Sequence, residues 1–109
     1  MVPPFDVVVL GMGVDGHTAS FFPEGDHLAD ATDPHTANRI IAITAPGAGE
    51  PRLTFTLPSL VSAGRLKLHI EGHEKKAVLD EALGEGPLEE MPIRAILRSE
   101  APLTLYWCP

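Results

Sequence analysis

A carboxylate and an imidazole lie two positions apart in the tripeptide Asp15-Gly16-His17. A histidine side chain titrates near neutrality, so it can take a proton and return it within one reaction. The tripeptide follows the apolar run FDVVVL, residues 5–10, and therefore lies just beyond the carboxyl end of a predicted strand. Ligands of α/β proteins bind at that edge of the sheet. We therefore expect His17 to be catalytic and Asp15 to orient its ring.

The same segment contains a glycine pattern that is also found in dinucleotide sites. Gly11, Gly13 and Gly16 fit G-x-G-x-x-G behind a strand. A dinucleotide site further needs a long helix after the last glycine and an acidic residue about 20 positions on. Pro23 interrupts the chain too early for that helix, and the next predicted strand, 40–43, ends without the acid. We therefore predict that this loop binds no cofactor. We expect its glycines to permit unusual backbone angles and the close approach of a substrate.

Composition excludes several classes of function. The 109 residues include 8 basic and 15 acidic side chains, a formal charge of −7, and no basic stripe that would bind nucleic acid. No apolar run approaches the ~20 residues of a membrane span, and the N-terminal residues do not resemble a signal peptide. Cys108 is the single cysteine, which excludes an internal disulfide framework. These features are typical of a cytoplasmic protein.

The pattern of apolar residues and breakers predicts a layered α/β domain over residues 1–109. Strands are predicted at residues 5–10, 40–43, 65–71 and 103–107. Helices are predicted from an N-cap at Thr56 to Gly64, and from residue 73 to Gly84; residues 92–97 fit either a helix or a strand. Residues 24–38 and 46–52 are predicted to be loops. The resulting fold class is a mostly parallel sheet with flanking helices.

Three stretches carry a resemblance to a known family. GMGVDGHTASFFP (11–23) closely resembles the signature of the 6-phosphogluconolactonases, which are homologous to the glucosamine-6-phosphate deaminases. The deaminase loop also has Asp-Gly-His but continues toward Asn-Glu-Pro, so Phe22-Pro23 favours the lactonases. PRLTFTLPSL (51–60) and GHEKKAVL (72–79) agree with them. The resemblance covers residues 5–107 and implies a Rossmann-like, sugar-phosphate isomerase-type fold.

Two departures from the family pattern are visible. The N-terminal half of the family, which includes a Ser-Gly-Gly type loop that helps to hold the sugar phosphate, has no counterpart here. The resemblance therefore implies that residues 1–109 are the C-terminal portion of a longer lactonase. In addition, Glu24 separates Phe22-Pro23 from the glycine that usually follows directly.

The resemblance implies hydrolysis of 6-phospho-D-glucono-1,5-lactone to 6-phosphogluconate, a step of the pentose phosphate pathway. In this interpretation His17 is the general base that activates water, and Asp15 fixes the ring and favours its charged form. Loop N–H groups would stabilise the oxyanion. The implied partner is a small phosphosugar lactone, with no metal, nucleic acid or membrane; the sequence does not predict the oligomeric state.

The remaining site candidates contact the substrate in this interpretation. The resemblance favours Lys75, in the first turn of a predicted helix, as a phosphate ligand, and Arg52 as a weaker phosphate or carboxylate ligand. The loop residues are expected to line the substrate site: Gly11, Gly13, Gly16 and Thr18.

Alternatives stay open at this point. A deaminase or isomerase of phosphorylated amino sugars would use the same histidine, and a half-length chain could be a non-catalytic phosphosugar-binding fragment. A metal site in the predicted loop 24–38, the polar loop, is not expected, because no helical spacing fixes its four candidate ligands, His27, Asp30, Asp33 and His35.

Overall fold

The computed structural model describes residues 4–109 as ten short elements. In chain order these are β1 (Val7–Leu10), α1 (Leu28–Ala31), β2 (Ile40–Ile43), a 3-10 turn (Pro46–Ala48), β3 (Arg52–Phe55), α2 (Leu57–Val61), β4 (Arg65–Glu71), α3 (His73–Ala82), α4 (Ile93–Leu97) and β5 (Leu103–Cys108). No helix among the described residues is long and apolar enough to cross a membrane.

A parallel sheet with the strand order β1-β4-β5 forms the centre of the fold. Val7 is in register with Arg65, and Leu66 is in register with Leu103. The alternation in β4 turns one face of that strand inward, where its apolar side chains are almost completely buried, and leaves the opposite face to solvent. The prediction of a mostly parallel sheet with flanking helices is confirmed.

A second, antiparallel pair of strands was not predicted. β2 and β3 form a hairpin in which Ile40 is in register with Phe55 and Ile43 with Arg52. We predicted residues 46–52 to be a loop, and this is wrong at Arg52, where β3 begins. The four-residue strand RLTF has no apolar run to indicate it, and its glycine- and proline-rich approach is typical of a linker. The hairpin stabilises it by pairing with the apolar β2.

The predicted helix boundaries agree with the structure in part. Thr56 is the residue before α2, as predicted, but its hydroxyl donates to the carbonyl oxygen of Asn38 at 2.7 Å instead of capping the helix. α3 ends at Ala82, and residues 92–97 form a helix, α4, from Ile93. Within the predicted loop 24–38 lies α1, whose four residues are too few to show a period.

Helices α3 and α4 contribute to the hydrophobic core on the inner face of the sheet. The largest apolar side chains that are less than 2% exposed come from the first loop, β2, β4, α3 and α4: Phe21, Ile43, Leu68, Ile70, Leu79, Ile93 and Ile96. Phe21 belongs to the loop that carries Asp15 and His17, so burial of this ring fixes the loop against the core.

A buried arginine holds the connection between α3 and α4. Arg94 is 3% exposed, and its guanidinium donates hydrogen bonds to the carbonyl oxygens of Glu81, Ala82, Glu85 and Pro87 at 3.0–3.3 Å. Two of these carbonyls are at the C-terminal end of α3, where the last carbonyl groups of a helix have no N–H partner within the helix. The cation therefore terminates α3 and orders the loop that follows.

We expect Arg94→Met to lower the free energy of unfolding by about 2–4 kcal/mol, because buried carbonyls lose charged donors without replacement. Urea unfolding with linear extrapolation measures this difference. Arg98→Met is the matched control, since exposed Arg98 donates only one hydrogen bond, to Gly86 at 2.7 Å. Equal losses in the two variants would contradict the role of Arg94.

Candidate active site

A cleft at the carboxyl edge of the parallel sheet brings two predicted site segments together. The loop after β1 and the first turn of α3, which follows β4, face each other across a volume of about 410 Å³. The lining residues are Gly11, Met12, Gly13, His17, Ala19 and Lys75. The catalytic candidate and the phosphate candidate, 58 positions apart in the sequence, therefore share one cleft.

The ring of His17 is held by Asp15. Its Nδ1 lies 2.5 Å from Oδ1 of Asp15, and the backbone N–H of His17 donates to the same oxygen at 3.1 Å. Because an ionised carboxylate only accepts hydrogen bonds, this contact assigns a proton to Nδ1. In the neutral ring Nε2 then keeps its lone pair, and no described residue forms a hydrogen bond with it. The predicted orientation of His17 by Asp15 has this physical basis.

The electrostatics of the pair favour an ionised Asp15. Partial burial acts to raise the pKa of its carboxyl, but hydrogen bonds from the backbone N–H and the ring of His17, together with their charge interaction, outweigh it. The net result is a pKa below the ordinary value of 3.8. Asp15 therefore contributes stability above pH 3.8, and this contribution is lost as the pH falls through the folded-state pKa.

Two of the three loop glycines are required by the geometry. A Cβ atom on Gly13 would lie within 2.9 Å of the side chains of His17 and Asp15, so the pair can form only over a glycine. Gly16 has φ = 83°, and its Cβ would crowd the backbone of Met91 at 3.0 Å. Gly11 has neither a positive φ nor a close neighbour, so our expectation of unusual backbone angles is wrong there and at Gly13.

Thr18 is placed differently from the other loop candidates. Its side chain is fully buried, and its hydroxyl donates to the carbonyl oxygen of Gly11 at 2.7 Å. We expected Thr18 to contact a substrate, whereas in this chain the hydroxyl ties the two ends of the loop together. This internal hydrogen bond fixes the loop directly after His17, which lines the cleft.

Phe22 is a site residue that the sequence analysis missed. Its buried ring stacks on the ring of His17 with centroids 4.4 Å apart and an angle of 22° between the planes. The guanidinium carbon of Arg52 lies 5.6 Å from the centroid of Phe22, and Arg52 also donates to the carbonyl oxygen of Ala48 at 3.2 Å. Arg52 is therefore near the histidine but does not line the cleft with Lys75. In the sequence analysis the motif FFP supports only the family resemblance. Its position a few residues after His17 was the available signal that Phe22 could contact the imidazole.

Backbone strain is concentrated around the site. Ala19, which lines the cleft, has φ = 50°, and Glu24 has φ = 62°. Non-glycine residues adopt this left-handed region at a cost of about 1–2 kcal/mol each, and such residues cluster at functional sites. Glu24 is the residue that departs from the resemblance, so the extra position is accommodated by a strained turn.

The polar loop has no arrangement typical of a metal site. His27 Nδ1 lies 2.9 Å from the carbonyl oxygen of Ala42, Asp30 accepts hydrogen bonds from Thr36 and Asn38, and Asp33 accepts one from the backbone of His35. These hydrogen bonds show that the polar side chains stabilise the conformation of the loop.

One group of candidate metal ligands lies elsewhere, on the solvent side of β4 and β5. The ligand atoms of His69, Glu71 and Cys108 are within 4.8 Å of one another. All three side chains are exposed, and the described contacts include no buried group that would orient His69. Metal sites normally have such support, so we assign no metal to this group.

Comparisons with known proteins decide the family. Residues 1–107 match the family model described as glucosamine-6-phosphate isomerases/6-phosphogluconolactonase. The chain belongs to this family. It is 62% identical to a 6-phosphogluconolactonase of Rhizobium meliloti (strain 1021) over 97% of the chain and 46% of that protein. A 6-phosphogluconolactonase of Mesorhizobium japonicum is 50% identical over 97% of the chain and 44% of its own length.

The fold comparison gives the same family. The crystal structure of a 6-phosphogluconolactonase from Shewanella baltica OS155 superimposes with a TM-score of 0.88 and 37% identity, over 95% of this chain and 44% of that one. The chain thus spans less than half the length of these family members. The matches do not state which half this is, so the C-terminal placement stays a prediction.

The Asp15–His17 contact makes a prediction that NMR can check. In the unaltered chain the Asp15 carboxyl is expected to titrate below pH 3.8, and His17→Ala is expected to move the midpoint up toward 3.8. The shift follows from loss of the ring hydrogen bond and its charge, while the backbone hydrogen bond stays. Carboxyl ¹³C shifts measure the midpoint, and Lys76→Met serves as a control that leaves it unchanged. An unmoved midpoint in His17→Ala would refute the pairing.

Proposed function

We propose that this chain carries the catalytic loop of an enzyme that hydrolyses 6-phospho-D-glucono-1,5-lactone to 6-phosphogluconate. The observation that carries the proposal is the cleft shared by Lys75 and the Asp15-oriented ring of His17. The three relatives described above all have the lactonase name, which supports the same substrate. The chemistry needs only a base for water and a cation for phosphate.

His17 acts as the general base in this proposal. Its Nε2 takes a proton from a water molecule while the water oxygen forms a bond to the lactone carbonyl carbon. The tetrahedral intermediate then collapses, the bond from that carbon to the ring oxygen breaks, and Nε2 returns the proton to the ring oxygen. Asp15 stabilises the imidazolium between the two steps, as its orienting carboxylate is ionised near neutrality.

Backbone N–H groups are the candidate donors to the carbonyl oxygen as it becomes negative. Within the loop, the N–H groups of Gly13, Gly16 and His17 already donate to loop acceptors. Gly11, Met12 and Ala19 also line the cleft, and their backbone N–H groups form no hydrogen bond with another described residue. These three N–H groups are the candidate donors to the oxyanion in this proposal, since preorganised donors stabilise charge that develops in the transition state.

Lys75 binds the phosphate of the substrate in this proposal. It lies in the first turn of α3, where backbone N–H groups and the helix dipole favour an anion. No ion pair is formed by Lys75 within the described part of the chain, whereas Lys76 is paired with Asp80 at 3.3 Å. Arg52, held beside Phe22, is a second cation at the margin of the site.

A deaminase acting on glucosamine-6-phosphate is the alternative within the family, and a phosphosugar-binding fragment is the alternative outside catalysis. The names of the three relatives and the Phe22-Pro23 continuation favour the lactonase. Release of ammonia from glucosamine-6-phosphate separates the two enzymes. We further propose that residues 1–109 are the C-terminal half of this enzyme and that it acts in the cytoplasm.

Replacement of the proposed base is the first test. His17→Ala is expected to lower kcat by about 10²–10⁴-fold, because general acid–base catalysis is lost. Hydrolysis of freshly made 6-phosphogluconolactone is measured on the longest polypeptide that the gene encodes, with the spontaneous rate subtracted. His35→Ala is the matched control, as this exposed loop histidine lies outside the cleft. Full activity in His17→Ala would end the proposed mechanism.

Removal of the proposed phosphate ligand should affect mainly KM. Lys75→Met is expected to raise KM for 6-phosphogluconolactone by roughly 10–100-fold, the effect of a charge-assisted hydrogen bond of about 1.5–3 kcal/mol. Hydrolysis of unphosphorylated gluconolactone should be unaffected by the change. Lys76→Met, one residue away and outside the cleft, is the control. An equal rise in KM for both lactones would show that Lys75 does not bind the phosphate.

A further inference from the structure

The turn from β4 into α3 is built on a glycine. Gly72 has φ = 90° and ψ = 156°, a region that glycine adopts readily and other residues rarely. It precedes the first residue of α3, where it offers no side chain that could cap the helix. Because glycine has the greatest backbone freedom of all residues, other contacts must fix the direction in which α3 leaves the sheet. The position of Lys75, in the first turn of α3, depends on those contacts.

The end of β5 supplies these contacts. The indole Nε1 of Trp107 donates a hydrogen bond to the carbonyl oxygen of Gly72 at 3.0 Å. The N–H of Gly72 donates in turn to the carbonyl oxygen of Cys108 at 2.9 Å. The same Gly72 carbonyl accepts the N–H of Lys76 at 3.3 Å, which closes the first turn of the helix. Both backbone polar groups of Gly72 are therefore tied to β5.

The ring of Trp107 packs on the start of α3. Trp107 is in register with Ile70, which is 1% exposed on the inner face of the sheet, so the indole lies on the face that α3 covers. The ring of His73 meets it edge to face, with centroids 5.5 Å apart. Lys76 Nζ lies 5.8 Å from the ring centroid, near the limit of a cation–π contact. The indole thus contacts the first turn of α3 and directs its N–H at the residue before that turn.

We propose that Trp107 is a positioning residue for Lys75. Its indole N–H fixes Gly72, and the fixed turn directs Lys75 into the cleft that it shares with His17. Trp107 is not among the described residues that line this cleft, so it acts through α3 and does not touch the substrate. The inference rests on the proposed function, because it needs Lys75 as the phosphate ligand. A tryptophan that only stabilised the sheet would affect both lactones equally.

Trp107→Phe tests this role, because it keeps an aromatic ring and removes the indole N–H. In the longest polypeptide that the gene encodes, it is expected to raise KM for 6-phosphogluconolactone by about 2–10-fold, the effect of losing one neutral hydrogen bond. The kcat value, and KM for unphosphorylated gluconolactone, should not change. In a Lys75→Met background, Trp107→Phe should have no further effect on KM, since residues that act through one interaction are not additive.

A second measurement needs no substrate. Amide hydrogen exchange, followed by NMR, is expected to become about 2–10-fold faster at the N–H groups of Gly72 and Lys76 in Trp107→Phe, because the turn opens more often. Tyr106→Phe is the matched control for both measurements. Tyr106 is the neighbouring aromatic residue of β5, on the opposite face, and this change also removes one donor and keeps the ring. It should alter neither exchange nor KM.

The outcomes separate this inference from the proposed function, once circular dichroism shows that each variant folds. Faster exchange, with a rise in KM that is confined to the phosphorylated lactone and absent in the Lys75→Met background, supports the positioning role. Unchanged exchange, unchanged KM or an equal rise in KM for both lactones would overturn it and leave the role of Lys75 intact. A Lys75→Met variant with unaltered KM, or an unaltered polypeptide that does not hydrolyse the lactone, would refute the proposed function, and the positioning role with it.

Discussion

The carboxylate of Asp15 accepts hydrogen bonds from both the backbone N–H and the ring Nδ1 of His17, and the candidate site depends on this double contact. The backbone bond closes the turn, and the ring bond fixes which nitrogen carries the proton. Gly13 leaves the space that the pair occupies. Phe22 then stacks against the imidazole at 4.4 Å and limits its rotation. The result is an imidazole whose position is set before any ligand arrives, which is what the proposed role of His17 as a base requires.

The parallel sheet brings Lys75 to the same cleft as His17. β1 and β4 run in the same direction, so the loop after β1 and the start of α3 after β4 emerge at one edge. His17 and Lys75 consequently line the same cleft although they are distant in sequence. The hairpin of β2 and β3 places a second cation near the site. Arg52 is the first residue of β3, and its guanidinium lies beside the ring of Phe22. Each contribution comes from a different element, and the sheet fixes their relative positions.

Much of the fold and the centre of the site could be predicted from sequence, for identifiable physical reasons. Long apolar or alternating runs indicated β1, β4, β5 and α3, and the Asp-Gly-His turn indicated the paired Asp15 and His17 at the cleft. β3 was missed because four residues with one polar and one charged side chain show no period, and a hairpin partner stabilises them. Phe22 was missed because stacking on His17 depends on how the loop folds back through the bridge between Thr18 and Phe21. The closeness of Phe22 to His17 in sequence was a signal, but it does not by itself determine that the two rings stack.

The charge distribution limits where an anion can bind in this acidic chain. Of 8 basic residues, Arg94 is buried against backbone carbonyls, Lys76 is paired with Asp80, and Arg98 is held by a loop carbonyl. Within the described residues, Lys75 lines the cleft with the histidine and forms no ion pair. The ammonium of Lys75 is therefore available to an anion in the cleft, whereas the net charge of −7 repels anions from the rest of the surface.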